Sequence, residues 1–347
     1  MKGAAAVKPG EVMLVDFPEP KAAGDDLVIA ALACGICSTD LKLVQRGADG
    51  PRYALGHELV GRVLQVPDGG SWKVGQRVAL APYLPCGKCF FCQRGQLTLC
   101  SNLYDIYPTP GGLAERVLAP AELAARGLIT IPDALGDELA ALAEPLGCVL
   151  KALEDSRLRP GDSFLVVGDG PMGQLSAAAG KALGARPVIV AGMTPHRLAV
   201  AENHFADLTV NVSQEDLQQT VLQATSQRGA DVVIVAVSSG EALEEGIDCV
   251  RPGGEVNMFA GVPHGTKIPL DVRKVHYKQY RLTGSFGTAP VYMRRAIDLL
   301  HTGGVDFSPV ISARFPFDQV ADAIRYMQDY VGLKSMVLFP QSGGQLE

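Results

Sequence analysis

Residues Phe164–Ala185 read FLVVGDGPMGQLSAAAGKALGA: four apolar residues, a glycine-rich turn, then a run of small residues with helical character. The turn has the form Gly168-x-Gly170-x-x-Gly173, with Pro171 and Met172 between the last two glycines. Glycines at this spacing allow a tight turn and let a helix N-terminus approach a pyrophosphate. Alone the pattern is weak, and a turn that binds nothing is the plain alternative. Here it follows an apolar strand and opens a helix, the context a dinucleotide site requires. Asp169 inside the loop is unusual, because a carboxylate aimed at phosphates repels them, so it is expected to face away. The next strand, Val188–Ala191, ends at Gly192, with no acid before Glu202. NAD sites commonly carry an Asp or Glu near this point, on the ribose 2′-hydroxyl. Its absence favours NADP over NAD, with Thr194, His196 and Arg197 to hold a 2′-phosphate. The alternative places Arg197 on the outer face of the following helix.

Outward from this stretch the texture changes twice. Before it, short β-like runs rich in Val, Leu and Ala (Leu27–Leu32, Leu59–Val66, Arg77–Ala81, Ala114–Leu118) alternate with Gly and Pro turns. A helical pattern follows from Asp137, interrupted by Pro145. From Pro160 the order is strand, glycine turn, helix, repeated, with nearly continuous apolar runs at Val232–Val237 and Val256–Phe259. Such runs fit strands buried on both faces of a parallel, doubly wound sheet. The closing part returns to mixed elements, with helices near Met293–Leu300 and Phe317–Met327 and a strand at Met336–Phe339. The expectation is an α/β chain in which residues 151–284 form a domain inserted into one made of 1–150 and 285–347.

Cys86, Cys89, Cys92 and Cys100 read C-x2-C-x2-C-x7-C. Four thiolates this close can close a tetrahedron around one zinc and leave no position for water. The lobe they hold, about 85–102, is rich in loop-formers and has no core of its own, so metal binding there is folding free energy. Disulfides are the alternative, but two-residue spacings suit a metal better. A second set is open: Cys37 in CGICSTD and His57 in GHE, with Glu144 in AEPLGC as an oxygen ligand farther on. Three protein ligands and a free position make a catalytic zinc. Singly, each of these residues reads as ordinary packing.

In order, CGICSTD, GHELVGRV, CGKCFFC with its later cysteine, AEPLGC and GDGPMG resemble the zinc-dependent medium-chain dehydrogenase/reductase family over essentially the whole chain. The EPL segment is most similar to the sorbitol and threonine dehydrogenase branch. The resemblance implies a GroES-like, mainly β catalytic domain interrupted by a Rossmann domain, with the active site in the cleft between them. It implies a catalytic zinc on Cys37 and His57, with Glu58 and Glu144 as acidic candidates, and a structural zinc on Cys86, Cys89, Cys92 and Cys100. Thr39 then starts a proton relay, and Asp40 orients His57. The chain departs from its relatives at Lys42, where many carry a relay histidine, at Gly287-Thr288, where sorbitol dehydrogenases have Arg-Tyr, and at Gly192. The resemblance also implies a homodimer or homotetramer, with edge strands such as Val256–Phe259 pairing between subunits.

The activity these readings imply is hydride transfer between a secondary alcohol or polyol-like molecule and a nicotinamide cofactor. Ser38, Tyr53, Tyr104 and Phe286 are pocket candidates. An amino-alcohol (threonine-like) or aldose dehydrogenase would keep every motif. A non-catalytic protein binding NADP and zinc would not need Cys37, Thr39, His57 and Glu144 together. The 347 residues carry net charge −6, with 47% hydrophobic and 20% charged residues, so nothing marks a nucleic-acid or membrane partner. Only Lys88 and Arg94 lie within the cysteine lobe, against a DNA-binding reading. The start, MKGAAAVKPGEV, is too short in its apolar run for a signal peptide. Eight cysteines without one point to a reducing cytoplasm.

Overall fold

The apolar run Phe164–Val167 is fully buried between two further apolar strands, Val188–Gly192 and Ala230–Val235, and pairs with both in parallel. This is the centre of a six-stranded sheet in a computed structural model that describes residues 1–47, 54–67 and 70–340. In sequence order the remaining strands are Leu208–Asn211, Val250–Met258 and Arg281–Gly284. Across the sheet they run Leu208–Asn211, Val188–Gly192, Phe164–Val167, Ala230–Val235, Val250–Met258, Arg281–Gly284, all parallel. Counted along this unit the order is 3-2-1-4-5-6, that of a Rossmann sheet, whose order reverses between Phe164–Val167 and Ala230–Val235. Leu165, Ile189, Val233, Val235 and Val256 fill one face together with Val221 and Ile247 of the covering helices.

Internal contacts divide the chain into two units: Met1–Gly147 with Thr288–His301 and Ile311–Glu347, and Cys148–Gly287 with Thr302–Val310. The first unit is built on a seven-stranded sheet. The strand Leu27–Gly35 lies at its middle, antiparallel to both Glu58–Gln65 and Lys334–Leu338. Arg116–Ala119 pairs with its beginning, and Arg77–Leu80 with Leu128–Thr130 extend the sheet beyond Glu58–Gln65. Ile311–Pro316 forms the other edge, parallel to Lys334–Leu338. Two register positions matter for the site: Gly35 stands opposite Glu58 on one side and opposite Met336 on the other.

Two expectations are corrected. The helical pattern from Asp137 breaks at Leu142, not at Pro145: the helices are Asp137–Ala141 and Ala143–Asp155. Proline lies in the first turn of the second, where its missing N–H has no helical partner to lose. The strand containing Val256 is not an edge strand. It is held between Ala230–Val235 and Arg281–Gly284, so its backbone groups are already paired, and Arg281–Gly284 occupies the edge. The opening stretch, read only for what it excludes, forms a hairpin of Lys2–Lys8 and Glu11–Asp16, turned at Gly10 with φ of 80°. No helix among the described residues is long and apolar enough to cross a membrane.

Candidate metal centres and nucleotide loop

Cys37 is the residue before the helix Ser38–Arg46, where the chain leaves the strand Leu27–Gly35. Asp40, three residues on, turns its carboxylate back to accept the Cys37 N–H at 2.9 Å, the backbone half of a capping box. Its other oxygen accepts the N–H of Gly56 at 2.9 Å and lies 3.7 Å from Nδ1 of His57. One fully buried carboxylate therefore ties the segment carrying Cys37 to the loop carrying His57. Glu58 opens the neighbouring strand, directly across from Gly35. Sheet register and the Asp40 brace bring ligand atoms of Cys37, His57 and Glu58 within 4.8 Å of one another.

Charge is balanced beneath this cluster by a residue that motif reasoning missed. Lys334, 2% exposed, donates from Nζ to Glu58 Oε1 at 2.6 Å and to the Ile36 carbonyl at 3.1 Å. Burial pulls the Lys334 ammonium down, but Glu58, with Cys37 and Glu144 adding, raises its pKa above the ordinary value. The other Glu58 oxygen, Oε2, is buried without a hydrogen-bond partner. A thiol, an imidazole and a carboxylate with one oxygen lacking a hydrogen-bond partner make a donor set zinc takes. Burial disfavours the His57 imidazolium, yet the Asp40 charge and hydrogen bond carry its pKa well above 6.5. Burial likewise raises Asp40, but His57 and the amides of Cys37 and Gly56 bring it below 3.8. A cation on His57 competes with that proton.

Glu144 is buried in the first turn of Ala143–Asp155. It is close enough to act on Lys334 but is not within the three-residue cluster. Thr39 is exposed, its hydroxyl 3.8 Å from Cys37 Sγ, and Lys42 is exposed one turn along the helix. Among the pocket candidates Ser38 is exposed, and Tyr104 and Phe286 are 58% and 62% exposed. Tyr53 lies outside the described residues.

The sulfurs of Cys86, Cys89, Cys92 and Cys100 also lie within 4.8 Å of one another, and all four thiols are free. The Cys89 and Cys100 sulfurs are 3.8 Å apart. Tetrahedral bonds of about 2.3 Å to zinc give an edge of about 3.8 Å, so the spacing fits. Cys100 Sγ accepts the N–H groups of Cys86 and Asn102 at 3.3 and 3.4 Å. The amides of Cys92 and Ser101 hold the Cys89 thiol down to about 6, while burial pushes Cys92 up to about 12. Among the described residues, Leu103 is buried against these sulfurs and Tyr83 and Leu97 pack on them partly buried, a small core for a lobe of its own. Of the remaining cysteines, Cys34 and Cys249 are buried and Cys148 is half-buried.

In the second unit, Gly168 closes the first Rossmann strand, and Gly170 precedes the helix Pro171–Ala182. A Cβ at Gly173 would overlap the carbonyl of Gly168, so only glycine lets the helix come this close to the strand end. A Cβ at Gly170 would meet nothing, leaving an open cradle at the helix N-terminus of the kind a pyrophosphate occupies. Asp169 does turn from the loop. Its Oδ2 accepts the N–H groups of Met193 and Thr194 at 3.0 and 2.8 Å, past the end of Val188–Gly192. Arg197 is buried, not on an outer face, with Nη1 3.9 Å from Asp169 Oδ1. Gln174 Nε2 donates to the carbonyls of Asp169 and Arg197, closing the arrangement. Thr194 is half-buried and His196 exposed.

Comparison with known proteins matches residues 23–133 to the alcohol dehydrogenase GroES-like domain and 171–302 to the zinc-binding dehydrogenase family. A sorbitol dehydrogenase of Bacillus subtilis is 30% identical over 332 residues, covering 93% of this chain and 92% of that one. An L-threonine 3-dehydrogenase of Pyrococcus horikoshii is 30% identical over 335 residues, covering 92% and 93%. A crystal structure of a zinc-binding dehydrogenase from Sinorhizobium meliloti 1021, bound to NADP, superposes with a TM-score of 0.88 at 29% identity. It covers 97% of this chain and 98% of its own.

Proposed function

This chain belongs to the zinc-dependent medium-chain alcohol dehydrogenases, in the sorbitol- and threonine-dehydrogenase-like branch, and on that premise we propose how its residues divide the work. As a member it is a zinc-dependent oxidoreductase of alcohols or polyols that uses a nicotinamide cofactor. Cys37, His57 and Glu58 hold the catalytic zinc, with Glu144 as the further acid. Cys86, Cys89, Cys92 and Cys100 hold the structural one. The convergence of Cys37, His57 and Glu58 ligand atoms within 4.8 Å supports this assignment above all.

When bound, the metal supplies Lewis-acid polarisation of the substrate oxygen, and the nicotinamide takes or gives the hydride. The chain supplies everything else. Asp40 holds Cys37 and His57 in place through the backbone and fixes which His57 nitrogen is free. Lys334 neutralises one oxygen of Glu58 and leaves the other without a hydrogen-bond partner. The Thr39 hydroxyl accepts the proton of the substrate hydroxyl and passes it to solvent, to which Thr39 is exposed. The substrate is a secondary alcohol or polyol-like molecule. For the dinucleotide, the lack of an acid at Gly192 favours NADP(H), with Thr194, His196 and Arg197 around its 2′-phosphate. The Asp169 carboxylate set against Gly192 favours NAD(H). It outweighs the first observation, because a charge acts on a ligand wherever in the chain it originates.

Metal analysis with turnover tests the assignment. The purified enzyme is expected to hold both metals and to reduce cofactor with members of a panel of polyols, amino alcohols, aldoses and secondary alcohols. Cys37→Ser should lose one metal and nearly all turnover. Full turnover in Cys37→Ser would sink the assignment. A best rate with threonine would move the substrate to the amino-alcohol class.

A further inference from the structure

The strand Val188–Gly192 ends without the acid that commonly reads the adenosine ribose in NAD sites, yet the space beside Gly192 is not vacant of charge. A Cβ built on Gly192 would run into the carboxylate of Asp169, 2.5 Å from its Cβ and 2.6 Å from its Cγ. The side chain of Asp169 thus fills the volume that a side chain at position 192 would take. It arrives from the glycine loop, and the amides of Met193 and Thr194 hold it there. Gly192 is glycine because Asp169 needs the room.

Resting on the dehydrogenase reading above, we propose that Asp169 reads the adenosine ribose in place of a strand-end acid and makes the enzyme selective for NAD(H) over NADP(H). Three features disfavour a 2′-phosphate. The carboxylate repels it. The N–H groups of Met193 and Thr194, which could otherwise receive an anion, already donate to Asp169. Arg197, the cation expected to hold the phosphate, is only 7% exposed, so it offers a phosphate little access. A ribose 2′-hydroxyl, by contrast, can donate to a carboxylate. Selectivity therefore depends on where the carboxylate stands, not on which residue carries it.

Binding separates this inference from the catalytic one. NADH and NADPH are titrated into the full-length enzyme by nicotinamide fluorescence, and ADP-ribose and its 2′-phosphate by calorimetry, with and without chelator. Wild type is expected to favour the ligand without the 2′-phosphate in both pairs by about tenfold or more, the scale of one hydrogen bond to a charged group. Chelation should leave that ratio unchanged. Asp169→Asn, which keeps the shape and removes the charge, should lower the ratio about tenfold. Asp169→Gly combined with Gly192→Asp should restore it by returning the acid to the strand end. A wild-type preference for NADPH, or an Asp169→Asn variant that weakens both ligands equally, overturns the role of Asp169 and leaves the dehydrogenase intact. Failure of every dinucleotide to bind overturns both.

Discussion

The two candidate metal clusters of the first unit are assembled in opposite ways. The cysteine lobe draws its ligands from one short segment, Cys86 to Cys100, and the Cys100 sulfur is met by the amides of Cys86 and of Asn102 just beyond it. The open cluster takes Cys37 from one side of a strand pair and His57 with Glu58 from the other. It is braced by Asp40 and balanced by Lys334 from a strand 276 residues beyond Glu58. A local site needs only its own ligands. A site built across a sheet needs residues that never touch the metal, and their removal should be felt there and not in the lobe.

The sharpest way to break the comparison is to remove one ligand from each. Cys37→Ser should lower turnover about a thousandfold or more, the scale of losing several kcal/mol of metal assistance, with little change in melting temperature. Cys89→Ser should do the reverse, lowering Tm by about 10 °C while the molecules still folded keep their rate. Metal content, thermal unfolding and initial rates on the same preparations check both, and equal effects on both readouts would erase the distinction.

Next in size is the charge beneath the open cluster. Lys334→Met leaves the Glu58 carboxylate buried and unpaired and should cost about 3–5 kcal/mol, whereas Lys334→Met with Glu58→Gln should recover most of it. Denaturant unfolding measures the difference, and simple additivity of the two substitutions would refute the pairing. Asp40→Asn is smaller. Loss of the carboxylate behind His57 should weaken metal affinity at the open cluster about 10–100-fold, read by competition with a chelator, and leave the lobe loaded.

The smallest effect is that of pH on metal-stripped protein. Asp40 is lowered on folding, so its contribution is present above about 3.8 and is lost as pH falls through its folded value. His57 is raised, so its contribution is full below about 6.5 and is lost as pH rises through its folded value. Wild type should exceed Asp40→Asn most between these limits, and the gap should narrow toward alkaline pH. With metal bound the trend reverses, because the metal requires a neutral imidazole and gains with rising pH. An apo-protein gap that grows with pH would count against the Asp40–His57 pair.

The difference in assembly also explains what the amino-acid order made legible. The cysteine tetrad and the glycine loop are contiguous patterns whose spacing is their geometry. The parallel sheet followed from apolar runs such as Phe164–Val167 and Val232–Val237, and Cys37, His57 and Glu58 were visible through their motifs. Lys334 and the partners of Asp169 were not, because each acts on groups distant in sequence: Glu58 for the first, the amides of Met193 and Thr194 for the second. Each nonetheless left a trace as an ionisable residue where local rules disfavour one, at the head of the apolar run Met336–Phe339 and inside a phosphate turn. Such a residue implies a buried partner without naming it. The break at Leu142 and the inner place of the Val256 strand were lost for a simpler reason, since helix ends and strand neighbours depend on packing outside the window being read.

Lys334 also gives the molecule an order in time. Chains leave the ribosome from the N-terminal side at a few residues per second, about 5–20. The tetrad has emerged whole, and can close on a metal, long before the strand that carries Lys334 exists. Until that strand adds itself beside Leu27–Gly35, Glu58 has no counter-charge and the open cluster has no floor. Loading should therefore be sequential in the nascent enzyme, the lobe first and the reactive centre last. A chain halted before Lys334 should carry the first metal and bind the second poorly.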